Sequence, residues 1–148
     1  MKTVFVTLNL LLTSLLLSAQ SDGLSAELTD DNPGTTISVT VPVPSDDGMV
    51  IIGLYDKDTF MKAGPLKGVE AEIIDGVAKA TFTGVTPGTY AISLFHDKNG
   101  NKQMDFEPTG MPKEMYGVSN NPMSYGPPQW SEARFDVGTS PIEMTIRL

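Results

Sequence analysis

The chain has 148 residues, no cysteine and a formal net charge of −8, with 10 Lys and Arg against 18 Asp and Glu. Without cysteine there are no disulfides to staple the fold and no thiolates for metal binding or redox work. An acidic chain whose Lys57, Lys62, Lys67, Lys79, Lys98, Lys102 and Lys113 are scattered suits cations, or merely solubility, and is a poor match for nucleic acid or an anionic membrane.

Met1-Lys2 is a short positive start, Val4 to Leu17 is strongly apolar, and Leu17-Ser18-Ala19 ends in small residues. This is the pattern of a secretory signal peptide over residues 1–19, with cleavage after Ala19. The competing reading, a membrane anchor, meets an apolar run short of the ~20 residues a span needs, and no basic cluster follows it. Cleavage leaves 148 − 19 = 129 residues and, with Lys2 lost, a net charge of −9. That length suits one domain able to bury a real core. The expectation is an exported protein, periplasmic or secreted, without a membrane span once the signal is removed. Gln20 to Gly34 is polar and aperiodic, and reads as a flexible lead-in to a single domain over residues 35–148.

From Thr35 the pattern takes period two, the mark of half-buried strands. Ile37, Val39, Val41 and Val43 alternate with polar residues or proline, and Val50, Ile52 and Leu54 share a face after the Ser45-Asp46-Asp47-Gly48 turn. Val69, Ala71 and Ile73 oppose Glu70 and Glu72. Asp75-Gly76 then reads as a two-residue hairpin turn, because both residues tolerate positive φ, with Ala78, Ala80 and Phe82 on the return. Thr86-Pro87-Gly88 turns into Tyr90, Ile92 and Leu94. Ala133, Phe135 and Val137 suggest one more strand, and Ile142, Met144, Ile146 and Leu148 another, with Gly138 to Pro141 turning between them. About seven short strands without a long helix predict an all-β fold, an antiparallel Greek-key β-sandwich. Asp97 to Ser131 is one long irregular connection, and connections of that length are usually functional or disordered. Its aromatic content argues for order.

Within it, Asp97, Asn99, Asn101, the Gln103 carbonyl and Asp105 fall at positions 1, 3, 5, 7 and 9 of a loop, the spacing with which a short segment wraps Ca²⁺. Position 12 is Pro108, so the last ligand must be Glu107, one place early, or a distant acid such as Glu114, or water. The opposing reading is a turn rich in Asp, Asn and Gly because these residues tolerate left-handed backbone and bond their own main chain. The matched spacing favours the cation. Two acids with neutral amides predict modest affinity, millimolar to tens of micromolar.

Three stretches resemble a known family: Val85-Thr86-Pro87-Gly88-Thr89-Tyr90-Ala91-Ile92, Leu94 to Asn101, and Gly110 to Asn121. With Gly126-Pro127-Pro128, Ala133-Arg134-Phe135 and Ile146-Arg147-Leu148 they are similar to the bacterial secreted family called domain of unknown function twenty-one forty-one, over about Ile37 to Leu148. The resemblance implies an exported β-sandwich akin to transthyretin-like and carboxypeptidase-regulatory-like modules, without an established activity. The family often carries a glycine after the second loop asparagine, where this chain has Lys102.

His96, the one histidine, shares strand parity with Tyr90, Ile92 and Leu94 and lies at the core end of its strand, as a proton-transfer group or as a structural histidine bonded to a loop carbonyl. Tyr116, Asn120, Asn121, Tyr125 and Trp130, stiffened by Pro122, Pro127 and Pro128, could hold a sugar or an extended peptide, or could simply fold over one end of the domain. Together with His96 and Glu114 they are the candidate ligand-binding residues. No nucleophile pattern is evident and no catalytic residue is assigned. The 5-hydroxyisourate hydrolase reading that a transthyretin-like shape invites lacks its C-terminal Tyr-Arg-Gly-Ser run and its additional histidines. The leading expectation is therefore a non-catalytic binding or structural module holding Ca²⁺, with an extracytoplasmic carbohydrate or protein partner. The alternative is an extracytoplasmic enzyme acting on carbohydrate or peptide through the loop carboxylates.

Overall fold

A computed structural model describes residues 33–148. The expected signal peptide and nearly all of the lead-in lie outside the described residues. Eight strands and one helical turn follow in order: β1 (Thr35–Pro42), β2 (Met49–Tyr55), β3 (Lys67–Ile74), β4 (Val77–Val85), β5 (Gly88–Asp97), β6 (Tyr116–Val118), α1 (Trp130–Ala133), β7 (Phe135–Val137) and β8 (Ile142–Thr145).

The fold is all-β, and the period-two faces are the buried ones. Ile37, Val39 and Val41 of β1, Val50, Ile52 and Leu54 of β2, Ala78, Ala80 and Phe82 of β4, and Ile92 and Leu94 of β5 meet in one core. At roughly 1.5–3 kcal/mol for each large aliphatic side chain taken from water, this cluster is the main source of stability. Asp75 (φ 51°) and Gly76 (φ 73°) make the two-residue turn between β3 and β4. Between Thr35 and Ile37 the β1–β4 register slips by one residue, a bulge that holds Gly84 at φ 62°.

The strand order is β6-β5-β2-β3-β4-β1-β8, with β7 pairing the start of β5. This differs from a purely antiparallel sandwich. β8 lies parallel to β1, Ile37 opposite Ile142 and Thr40 opposite Thr145, so the sheet is mixed and curls into a half-barrel. The curl has a local origin in β3. Its residues Lys67–Glu72 pair with β2, and only Ile73 and Ile74 pair with β4, so one strand changes partners and the sheet bends there without dividing.

A second difference concerns Ala133, expected on a strand. It ends the helical turn α1, where it is fully buried with Phe60, Ala91 and Val118 on the outer face of β5. Tyr55, Phe60 and Trp130 stack edge to face around this satellite cluster, with ring centroids 6.0 Å apart for Tyr55–Phe60 and 5.9 Å for Phe60–Trp130. Asp56 starts the intervening turn, accepting the N–H groups of Asp58 and Thr59 and the Thr59 hydroxyl.

Candidate functional site

The candidate loop grows out of the C-terminal end of β5. His96 keeps the inward parity of Ile92 and Leu94 and is 1% exposed. Its ring Nε2 lies 2.7 Å from the Asp47 carbonyl, so Nε2–H donates and ties the β1–β2 turn to β5. In the same turn Gly48 has φ 73°, and a Cβ there would collide with the Asp97 carbonyl oxygen. Only glycine allows that approach. Histidine and glycine together clamp the base of the loop.

Asp97 is fully buried and turns both carboxylate oxygens onto the loop backbone: Oδ1 accepts the Gly100 N–H at 2.9 Å and Oδ2 the Lys102 N–H at 2.8 Å. Asn99 Oδ1 accepts the Asn101 N–H and Asn101 Oδ1 the Gln103 N–H, so each alternate side chain folds back on the chain two residues ahead. Gly100 (φ 72°) and Lys102 (φ 60°) supply the left-handed backbone this curl requires. Lys102 thus takes the conformation for which glycine is ordinarily used, and its Nζ pairs with Glu70 Oε1 at 2.9 Å on the surface. The Asn99 and Asn101 amides converge on Asp105, with Nδ2 to carboxylate distances of 2.7 Å from Asn99 and 3.0 and 3.1 Å from Asn101.

Beyond Asp105 the chain makes a small hairpin. Lys113 N–H donates to the Asp105 carbonyl at 2.8 Å, Phe106 bridges Pro112, and Glu107 N–H reaches the Met111 carbonyl at 2.7 Å. This leaves the Glu107 side chain exposed and returns Glu114 to the loop. Glu114 Oε2 accepts the Asp105 N–H at 3.3 Å, while Oε1 is buried without a hydrogen-bond partner. Of the closing acids the sequence offers, Glu114 stands beside Asp105. Among the described residues no three Asp, Glu or His side chains gather into a metal centre by themselves. A cation here would depend on amide and carbonyl oxygens as well as carboxylates.

The long connection spends most of its polar groups on its own packing. Ser119, fully buried, accepts the Ile92 N–H through Oγ at 2.9 Å and donates to the Ala133 carbonyl. Asn120 (φ 68°) donates to the carbonyls of Glu132 and Arg134. Asn121 (φ 48°) donates to the Thr145 carbonyl at 2.9 Å and accepts the Arg147 N–H at 2.8 Å. Trp130 packs on Phe60, whereas Tyr116 is partly exposed and Tyr125 fully so. Tyr116 and Asn121 share a cavity, while Asn120, Tyr125 and Trp130 do not line it.

The family model described as "uncharacterized protein conserved in bacteria (DUF2141)" matches residues 39–145. The chain belongs to this family. The matched span runs from within β1 to the last residue of β8, and includes the curled loop, the hairpin and the Ser119-Asn120-Asn121 clasp. Neither the curated proteins nor the solved structures hold a match to the chain. In this DUF2141 domain several residues escape a sequence reading. Ser119 carries no spacing signal, and Arg147 enters the cavity through a tertiary approach alone. Gly48 could have been suspected from its place after Asp46-Asp47.

Proposed function

We propose that this protein is an exported, non-catalytic binding module, its curled sheet serving as a two-layered, sandwich-like scaffold for a divalent cation of Ca²⁺ type. Asp97 shapes the loop, Asn99 Oδ1, Asn101 Oδ1, the Gln103 carbonyl and an Asp105 oxygen supply ligands, and Glu114 closes the site. The observation that carries this reading is the buried, unpartnered Oε1 of Glu114 beside Asp105. A buried carboxylate oxygen with no donor is costly, and a hard cation between Glu114 and Asp105 removes that cost. The Asn99 and Asn101 amide N–H groups that now face Asp105 offset part of its charge. On binding, a cation takes over that role, and the side chains turn their oxygens inward, each Oδ1 having a second lone pair. Export, to the periplasm or beyond, rests on the N-terminal pattern, and an extracytoplasmic carbohydrate or protein is the partner this places within reach.

Calorimetric titration of the folded protein with Ca²⁺, beside melting curves with Ca²⁺ and with a chelator, tests the proposal. A cation bound only by the folded state adds RT ln(1 + [L]/Kd), about 3 kcal/mol for ~2 mM Ca²⁺ and a Kd of ~10 µM. For a millimolar Kd the gain falls under ~1 kcal/mol. Wild type should bind and melt higher with Ca²⁺, and Glu114→Gln should lose most of the difference. No heat and an unmoved melting curve at low salt would make the loop a self-satisfied turn.

A further inference from the structure

The C-terminal segment, β6 and the proline-stiffened loop line an open cleft of ≈ 350 Å³. That is within the range of about 300–1,000 Å³ typical of small-molecule sites. Val118, Pro122, Met123 and Pro128 give it an apolar wall, Tyr116 stands at its side, and among the described residues Arg147 is the one charged side chain lining it, with Leu148 next to it. We propose that this cleft binds an organic carboxylate with an apolar body, its carboxylate on the Arg147 guanidinium and its hydrocarbon against Val118, Pro122, Met123 and Pro128.

Charge is the first support. The ion pair found among the described residues joins Lys102 to Glu70 and does not involve Arg147. A guanidinium presents a planar fork matched to a carboxylate, and next to an apolar wall it favours an anion carrying hydrocarbon over a strongly hydrated inorganic one. Rigidity is the second. Asn121 bonds both the Thr145 carbonyl and the Arg147 N–H, and the Ser124 hydroxyl donates to Glu132 Oε2 at 2.7 Å. The wall that carries Asn121 and Arg147 is therefore held before a ligand arrives, which lowers the ordering cost of binding. The Tyr116 hydroxyl has no partner among the described residues and offers the carboxylate a further donor. None of this depends on the cation loop, so each proposal can fail alone.

The probes are 3-phenylpropionate and its primary amide, and a tripeptide ending in Phe with a free or an amidated C-terminus. Binding to the full chain is read by amide chemical-shift perturbation and calorimetry. Both acids should bind, moving resonances of Tyr116, Val118, Asn121, Ser124 and Arg147. Both amides should bind at least tenfold more weakly, a difference of about 1.4 kcal/mol. Equal affinity for the two acids would assign the site to free small acids, and tighter binding of the tripeptide would assign it to peptide C-termini. Arg147→Gln should weaken the acids at least tenfold and leave the amides unchanged. Met123→Glu, at a residue 95% exposed and so harmless to the core, should weaken the acids by like-charge repulsion. Acid and amide bound equally, no shifts from either acid at millimolar concentration, or undiminished acid binding by Arg147→Gln would each overturn the proposal.

Discussion

Lys102 holds φ 60° at a loop position where glycine would be free of strain, and it also reaches Glu70. A left-handed conformation costs a residue with a Cβ about 1–2 kcal/mol. An exposed ion pair returns only about 0.2–1 kcal/mol. The strain outweighs the ion pair, so Lys102→Gly should stabilise the domain by about 0.5–1 kcal/mol. Lys102→Ala, which keeps the strain and loses the pair, should destabilise it slightly. Denaturant titration of the two variants separates strain from ion pairing, and a Gly variant no more stable than Ala would show that the backbone is unstrained. Asp97 is a poorer probe of cation binding than its place in the spacing implies. Its carboxylate holds the Gly100 and Lys102 N–H groups, so Asp97→Ala damages the loop with or without a cation. Asp56 offers a pH test elsewhere. The Thr59 hydroxyl and the Thr59 N–H hold its carboxyl below the ordinary carboxylate range. A lowered folded-state pKa gives stability that is present above the ordinary range and lost as pH falls through the lowered value. Thr59→Val should return the Asp56 titration, followed by NMR, toward the ordinary range.

At the scale of elements, the sequence is legible wherever a strand is half-buried along most of its length. The inward residues of β1, β2, β4 and β5 are the period-two residues, because one face meets the core and the other meets water. The turn at Asp75-Gly76 is legible for a chemical reason, since both positions take positive φ. Gly76→Val should cost about 2 kcal/mol, chiefly through backbone strain. A Cβ at Gly76 would meet little except the Val43 carbonyl oxygen at 3.3 Å. Gly76→Asn, tolerant of the same φ, should be nearly neutral, and melting curves compare the two. β6, with three residues, and α1, with four, are too short to show any period, and tertiary contacts at Ser119 and Phe60 fix them. The candidate site divides in the same way. The Asp97 to Asp105 spacing is local and can be read, whereas the return of Glu114 depends on the hairpin from Asp105 to Lys113, which no side-chain pattern announces.

For the whole molecule, the consequential event is how the two edges of the curled sheet are secured. β6 ends one side of the strand order and β8 the other, yet the segment after β8 lies on β6. A Cβ at Gly117 would collide with the Arg147 carbonyl oxygen. Asn121 fastens this closure with two hydrogen bonds, one to the Thr145 carbonyl and one from the Arg147 N–H. Each bond contributes about 1 kcal/mol net. Asn121 also carries left-handed backbone, so substitution has two parts. Asn121→Gly loses the bonds and relieves the strain, for a net loss of about 1 kcal/mol, whereas Asn121→Ala loses the bonds and keeps the strain, for about 2 kcal/mol. Hydrogen exchange locates the effect. The Ile146 N–H is held independently by the Thr40 carbonyl of β1 at 3.0 Å and should stay protected in both variants. The Arg147 N–H should lose its protection in both. If the two amides were to keep wild-type protection together, Asn121 would be a surface residue that merely touches the tail, and the sheet edges would be held without it, by the Ile146 N–H bond to Thr40 and the burial of Ile146.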